Sequence, residues 1–578
     1  MEKTINGIVA SRGIAIGSAL LMTKCRKIDT RVIPKDEIPI QINKLTRAVE
    51  MSQKELDRIS ADSKDKIPEK ELKIIEALKE LLRDTSFADK IIKLIQEDQI
   101  TADHAVSKAT NYFSSLFLSL DDDYMKQKSS DIKDVGNRIL DNLLNEELSR
   151  IEKLTEPYII ISDDLFPSDT IQMDRSTVLG FATDLGGKTS HTAIIATALE
   201  IPAVVAAKNA TRLIHNGDLV IIDGLEGRII INPEKETQNK YQLRLEKDKK
   251  NKATLEMIKN LPAETMDGHT VNLSANISSI EDADTAVNHC ADGIGLMRTE
   301  LQYLGRSELP SEDELFKLYK AIAEKMGSKP LIIRTLDVGG DKNIPYLNRE
   351  EEANPFLGIR GIRFCLKNIW AFKDQIRAIL RAGCFGNIKM MFPMVTTIEE
   401  VRTAKVIVEE VKEELRFTRI PFCDDVEIGI MVEVPAVALM ADLFIKEVDF
   451  FSIGSNDLTQ YTLAADRLNE KLIDLYSPYN LAILRMICQT IDASHKDGKW
   501  TGICGQMATD PYMIMLLLGM GIDELSVVPS LLNETKHIIR TLSFQKATDI
   551  TKEVLDMSSY MNLYGYMQKV YDSAAENQ

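Results

Sequence analysis

The chain has 578 residues and a net charge of −17 at neutral pH, and is 44% hydrophobic, 28% charged and 6% aromatic. That balance describes a multidomain globular protein; it excludes a disordered chain and an aromatic stacking surface for single strands, and it works against nonspecific binding to nucleic acid or an anionic membrane. No apolar run approaches the roughly 18 residues of a membrane span, the start lacks the basic-then-apolar pattern of a secretion signal, and the seven cysteines stand singly with no CxxC pair, so a reduced cytoplasmic protein without membrane insertion is expected.

Residues 1 to about 20 combine Gly and Ala with short apolar runs and predict strands and turns. From about Pro39 to Ile151 the apolar period becomes helical. Ile42, Leu45, Val49, Leu56 and Ile59 form one stripe, and Leu72, Ile75, Leu78 and Leu82 form another after Pro68-Glu69. Thr101 and Ser130-Asp131 suit helix caps, so a subdomain of about four helices is expected. Between 158 and 233 strands are predicted at 158–162, 177–181, 203–206 and 219–223, with turns at 216–218 and 224–227. Residues 235–259 are charged and free of Gly and Pro, which predicts one helix, either a linker between domains or a solvated arm.

From about 263 onward a strand-then-helix rhythm repeats. Strands are predicted at 270–277, 293–298, 331–336, 389–394, 428–433, 450–453, 500–504 and 525–528, the count for a closed (β/α)8 barrel. Such a barrel gathers its chemistry at the carboxyl ends of its strands, where Asn276, Arg298, Arg334, Glu433, Asn456, Asp457 and Cys504 are expected. Arg298, Arg334 and Arg467, with Arg360, would bring guanidinium forks to one mouth and favour an anion site, although any one of them taken alone reads as a surface or salt-bridge residue. Glu433 and Asp457 follow apolar strands that leave no solvated face. They need a partner there, either Mg²⁺ or a neighbouring arginine. Cys504, between Gly502 and Gly505, is either an inert core thiol or a group that transfers a proton or acts as a nucleophile.

A second signal is Asp184-Leu185-Gly186-Gly187-Lys188-Thr189-Ser190-His191-Thr192-Ala193-Ile194. After a strand and a Gly-Gly turn, Thr189 or Ser190 can cap a helix, and His191 falls in its first turn. Backbone N–H groups there suit an anion beside a nucleophilic imidazole that is phosphorylated. GxxxxGK[ST] is absent, so direct nucleotide binding has no support.

The segment DLGGKTSHTAIIATALEIPAVV resembles the phosphohistidine segment of enzyme I of the bacterial sugar phosphotransferase system, the phosphoenolpyruvate–protein phosphotransferases. GIVASRGIAIG resembles that family's opening strand, and RTLDVGGDK, NPFLGIRGIR, MFPMV, GIMVEVPA, VDFFSIGSNDLTQYTLAADR and DASHKDGKWTGICG resemble its barrel segments. The resemblance runs nearly end to end. It implies a multidomain α/β protein: a phosphohistidine α/β domain (1–24 and 146–233), an inserted helical subdomain (25–145), a linker helix (234–262) and a phosphoenolpyruvate-binding (β/α)8 barrel (263–578). It implies His191 as the phosphorylated residue, Thr170 as hydrogen-bond partner of its imidazole, and Cys504 as the acid that protonates the departing enolate. By the same resemblance Arg298, Arg334, Arg360, Arg467, Asn456 and Asp457 hold phosphoenolpyruvate, and Glu433 and Asp457 ligate Mg²⁺. The helical subdomain would dock HPr, the carrier that takes the phosphoryl group as pyruvate is released, and the family is a cytoplasmic homodimer joined through its barrel.

Arg12, Leu78, Leu481, Gln506 and Thr509 depart from the family pattern, Gln506 lying two residues from the expected acid. Two other readings compete. A dikinase or synthase of the same superfamily would carry a large ATP-grasp domain ahead of the histidine, for which about 185 residues leave no room. A regulatory phosphocarrier or binding protein with reduced turnover rests on the substitutions near Cys504 alone.

Overall fold

Short runs rich in Ile, Val and Ala build the first sheet, because β-branched side chains fit a pleated, covered surface. Three strands, β1 (Lys3–Asn6), β2 (Ile8–Ser11) and β3 (Ile14–Leu21), precede five helices, α1 (Ile38–Ser63), α2 (Glu69–Arg83), α3 (Thr85–Glu97), α4 (Ala102–Leu118) and α5 (Asp123–Leu144). The chain returns to the sheet with β4 (Tyr158–Ser162), α6 (Pro167–Thr170), β5 (Val178–Thr183), α7 (His191–Ala198), β6 (Ala203–Val205), α8 (Ala210–Leu213), β7 (Leu219–Asp223) and β8 (Arg228–Ile231), before the long α9 (Lys235–Ile258). The strand order is β1-β8-β7-β3-β4-β5-β6-β2. Strands β3 to β6 run parallel, and β8, outside the sequence expectation, forms an antiparallel hairpin with β7 across the 224–227 turn. This structure, a computed structural model, describes all residues except 1, 23–25, 64–68, 119–122, 145–155, 172, 174–175, 188–190, 305, 307, 340–351, 473–474, 559–562 and 576–578, with the backbone alone for a few helical residues, His191 among them. It divides into two units, Met1–Lys250 and Asn251–Gln578, and α9 crosses the division.

Five helices stand where about four are expected. Asp84 makes the difference: its side chain accepts the Ser86 N–H and starts α3 directly after Arg83. The helical stripes meet in one core that includes Leu45, Leu56, Ile59, Ile75, Leu78, Ile91, Ile139, and also Ile171 and Ile195 from the α/β part. Leu78 is thus a packing residue, 1% exposed. Helix α9 is held to the sheet by Tyr241, whose hydroxyl donates to Asp223 Oδ2 at 2.7 Å, while Leu243 and Met257 stay exposed.

In the second unit eight strands close a barrel: β9 (Asn272–Ile277), β10 (Ile294–Met297), β11 (Leu331–Arg334), β12 (Ile388–Phe392), β13 (Ile428–Val432), β14 (Phe450–Gly454), β15 (Trp500–Cys504) and β16 (Glu524–Val527). Every neighbouring pair is parallel, and β16 pairs with β9. All eight lie at the sequence-expected places. Leu296, Ile332, Met391, Met431, Phe450 and Cys504 form one buried cluster from β10 to β15. On β9 and β16 the buried groups are polar instead: Ser274 Oγ donates to Glu524 Oε2 at 2.8 Å, and Asn276 Nδ2 donates to the Ser526 carbonyl at 2.9 Å.

Candidate active site

Strand β10 delivers Arg298 one residue past its end, β11 ends on Arg334, β13 delivers Glu433, and β15 ends on Cys504. The helix Ser455–Leu463, which begins directly after β14, carries Asn456 and Asp457. These six, with Arg360, Arg467 and Asp337, line one cavity of about 250 Å³. Every barrel residue to which the sequence reading assigns a binding or chemical role is therefore brought together at the carboxyl ends of the strands. Asn276 is not among them: it is spent on Ser526 and borders a neighbouring hollow with Arg298.

The charges in this cavity are already organised. Asp337, fully buried, accepts from Arg360 Nε at 3.0 Å and Nη2 at 3.2 Å, and its Oδ2 lies 3.1 Å from Arg334 Nη2. Arg360 also reaches both oxygens of Asp457 at 3.2 Å and donates to the Tyr461 hydroxyl at 3.2 Å. Its Nε and both terminal nitrogens are thereby engaged. Arg334 pairs with buried Glu300 as well, and its Nε is buried without a hydrogen-bond partner among the described residues. Arg298 is exposed, and Arg467 lies 3.6 Å from Asp457. Arg334 and Arg360 are thus hydrogen-bonded to buried carboxylates, whereas Arg298 is exposed and half-buried Arg467 makes a longer ion pair with Asp457. Asp337, Glu300 and Tyr461 escape the sequence reading. Asp337 stands within RTLDVGGDK, three residues after Arg334, and that spacing after a strand end is the one signal that points to it.

Glu433 is fully buried and its Oε1 accepts the Met394 N–H at 2.5 Å, while Oε2 has no hydrogen-bond partner among the described residues. Burial, reinforced by Asp457 and Asp337, pushes its carboxyl up to about 8. An orphaned, buried carboxylate oxygen next to a second carboxylate fits a hard divalent cation such as Mg²⁺, which takes oxygen ligands. Gly454 leaves the room for it, since a Cβ there would stand 3.0 Å from Glu433 Oε2. No cluster of three or more His, Cys, Asp or Glu is disposed to hold a metal among the described residues, so two carboxylates would share such a cation with water and ligand oxygens.

Cys504 is 5% exposed and its thiol faces the Ile453 carbonyl at 3.6 Å. Burial pushes it up to about 11, against the pull of Arg298 and Arg334, so the group is a neutral S–H at physiological pH and can give a proton. Next to it Gly505 has φ +103°, and a Cβ there would stand 2.3 Å from Ser455 Oγ. That close turn lets the Gln506 N–H reach Asn456 Oδ1 at 3.2 Å. A backbone N–H can only donate, so the Asn456 oxygen is fixed and its NH₂ remains the free donor. The Gln506 side chain itself is exposed.

In the first unit His191 opens α7. Thr189 and Ser190, the expected caps, lie outside the described residues, as does the side chain of His191. The turn before it is tied down: Asp184 accepts the Ala210 N–H at 2.5 Å and also binds Thr211, Thr183 Oγ1 donates to the Leu185 carbonyl at 2.6 Å, and Gly186 has φ +103°. Thr170 ends α6, is fully buried, and donates its hydroxyl to the Phe166 carbonyl at 3.0 Å. Its lone pairs are then what it has left for an imidazole N–H.

Three sequence families match the chain: "PEP-utilising enzyme, PEP-binding domain" over residues 252–544, "PEP-utilising enzyme, N-terminal" over 6–128, and "PEP-utilising enzyme, mobile domain" over 154–227. Proteins named phosphoenolpyruvate-protein phosphotransferase are similar throughout. That of Geobacillus stearothermophilus is 44% identical over 574 residues, 99% of each chain. Those of Priestia megaterium and Bacillus subtilis (strain 168) are 42% identical over 571 and 569 residues, covering 99% and 98% of this chain and 100% and 99% of theirs.

Proposed function

The chain belongs to the phosphoenolpyruvate–protein phosphotransferases, the enzyme I family of PEP-utilising enzymes, and on that premise we propose that it moves the phosphoryl group of phosphoenolpyruvate to its own His191 and then to a histidine of HPr, releasing pyruvate as the first step of sugar uptake. One observation carries this reading: the residues named for phosphoenolpyruvate, cation and proton chemistry line a single cavity.

In this reading Arg298 and Arg467 receive the phosphate and carboxylate oxygens first, because Arg298 is exposed and Arg467 is held only by a 3.6 Å ion pair with Asp457. Arg334 and Arg360, prepositioned by Asp337, face the phosphoryl oxygens, and the Asn456 NH₂ donates one further hydrogen bond. Held by Glu433 and Asp457, Mg²⁺ would supply charge that spreads the negative charge of those oxygens. The imidazole nitrogen of His191 attacks phosphorus in line; the N–P bond forms as the bond to the enolate oxygen breaks. The Cys504 thiol protonates the enolate carbon, which yields pyruvate, and the thiolate regains its proton from solvent. A neutral thiol with a raised pKa supports that role; the buried, unpartnered Glu433 oxygen supports the cation.

The phosphohistidine domain (1–24, 146–233) with its inserted helical subdomain (25–145) would move against the barrel (263–578) through the linker (234–262). His191 must visit the barrel and then HPr, and α9, most of whose residues are exposed, would be the pivot. The helical subdomain would present the HPr-docking surface. A homodimer through the barrel fits the exposed Ile369 and Trp370 on its surface. No helix among the described residues is long and apolar enough to cross a membrane, and together with the unpaired cysteines this supports a cytoplasmic location. The test is mass spectrometry of the full chain after incubation with phosphoenolpyruvate and Mg²⁺. A phosphoryl group on His191, absent from His191→Ala and discharged by HPr, is expected. Full labelling of the variant, or none of the wild type, would overturn the reading.

A further inference from the structure

Helix α6 has four residues, far too few to hold its place by its own hydrogen bonds. Its first turn is capped from another part of the chain. Asp134, on α5 of the helical bundle and 4% exposed, accepts the Ser168 hydroxyl at 2.6 Å and the Ser168 backbone N–H at 3.1 Å. A carboxylate there satisfies an N–H that has no partner within the helix. On the other side of α6 the chain continues the tie: Thr170 donates to the Phe166 carbonyl, and Thr192, the residue after His191, donates its hydroxyl to the Leu165 carbonyl at 2.6 Å. Ile171 and Ile195, which follow α6 and lie within α7, are buried in the bundle's own core. The charged groups that face Asp134 are Arg138 on its own helix and Asp169 on α6; burial and Asp169 push the carboxyl up to about 6, and Arg138 and Ser168 oppose them.

We infer that Asp134 is a positioning residue for phosphoryl transfer: through Ser168 it fixes the 165–171 segment on which the start of α7 hangs, so that the bundle and the histidine segment are set as one piece. This rests on the reading of His191 as phosphoryl acceptor. Neither the family resemblance nor the cavity assigns Asp134 a role.

The test uses the full chain with three substitutions. Asp134→Ala removes the cap, Ser168→Ala removes one of its bonds, and Asp134→Asn can still accept the Ser168 N–H and donate to Ser168 Oγ. Two quantities are read: the single-turnover rate of His191 phosphorylation by phosphoenolpyruvate, and the NMR titration of the His191 ring in protein carrying labelled histidine. Asp134→Ala is expected to slow phosphorylation on the order of a hundredfold, as misplacement of a reacting group by about 1 Å does, and to shift the ring's titration. Ser168→Ala should do both to a smaller extent, and Asp134→Asn should return most of the rate. A folded Asp134→Ala with wild-type rate and titration overturns the inference, and so does a loss of stability that leaves the ring's titration unmoved. If Asp134→Ala does not fold, Ser168→Ala decides in the same way. If the wild type accepts no phosphoryl group, the functional reading falls, and the ring titration across the three variants still decides whether Asp134 sets the histidine's surroundings.

Discussion

Asp337 holds Arg360 at two points, 3.0 Å from Nε and 3.2 Å from Nη2, while the same carboxylate stands 3.1 Å from Arg334. One buried acid therefore sets the spacing of two guanidinium groups that belong to different segments of the barrel. Removing one partner of a buried ion pair costs about 3–5 kcal/mol, because the other charge is left without compensation. Asp337→Ala should lower the melting temperature accordingly. Asp337→Asn, which retains an acceptor, should melt nearer the wild type yet lose roughly tenfold or more in kcat/KM for phosphoenolpyruvate, the pattern of a lost positioning contact. Wild-type kinetics in a folded Asp337→Asn would remove Asp337 from this role.

Cys504 should act in turnover more than in affinity. With its thiol pushed up to about 11, it keeps its proton through neutral pH and reacts slowly with iodoacetamide. Cys504→Ala should lose pyruvate formation by orders of magnitude with a smaller change in phosphoenolpyruvate binding, and Cys504→Ser should rescue poorly because a hydroxyl is a far weaker acid. Gln506→Glu is the companion: its side chain is exposed, so a screened carboxylate there should move the pH–rate profile little. An active Cys504→Ala would return the thiol to the core.

Glu433 supplies a cation test that does not depend on catalysis. Its carboxyl, pushed up to about 8, is protonated below that pH, and a cation must displace the proton. Apparent Mg²⁺ affinity should therefore rise with pH by up to about tenfold per pH unit and level off above 8. Calorimetric titrations of the full chain with Mg²⁺, in buffers of different ionisation heat, read both the affinity and the proton released. Glu433→Gln should bind weakly and without that slope, and Asp457→Asn should bind weakly with it. Equal affinity in the wild type and both variants would dismiss the cation site.

Glu524 makes a prediction about stability. It is fully buried in the barrel, beside Gly295 and Gly502, where any Cβ would collide with its Oε1, and burial pushes it up to about 7. The folded protein thus binds this proton more tightly than the unfolded chain does. Its favourable contribution is complete below about pH 4 and disappears as pH rises through 7. Glu524→Gln should flatten that dependence, gaining on the wild type by up to about 3 kcal/mol between pH 5 and 8. Parallel stability curves for the two proteins would contradict this protonation state.

The barrel was legible because its strands are covered on both faces and read as short apolar runs, with polar residues only where the chain leaves the sheet. Arg298, Arg334, Glu433 and Cys504 stand at those exits, so their convergence followed from topology, whereas Arg360 and Arg467 come from the segments beyond. Asp337 was not legible in the same way. Its one local signal is the spacing of three residues after Arg334, and its partner Arg360 lies 23 residues on. That Arg360 is engaged by Asp457, 97 residues away, depends on the closing of the barrel, which no local pattern encodes. In the first unit α3 escaped the reading: the second stripe ends at Leu82, and a single aspartate cap starts the next helix directly after α2. The cap of α6 by Asp134 joins segments 34 residues apart and leaves no periodic trace.

The guanidinium groups of Arg334 and Arg360 already have Glu300, Asp337 and Asp457 for company. To reach these two groups, chloride, sulfate or free phosphate would have to separate the pairs, and the carboxylates so released would repel it. Such discrimination works by exclusion: the common anions of the cell meet a mouth whose strongest positive charges are already satisfied. A ligand does better when it offers several oxygens to Arg298 and Arg467 and also brings a cation to draw Asp457 away from Arg360. Free phosphate would then compete only weakly with such a ligand.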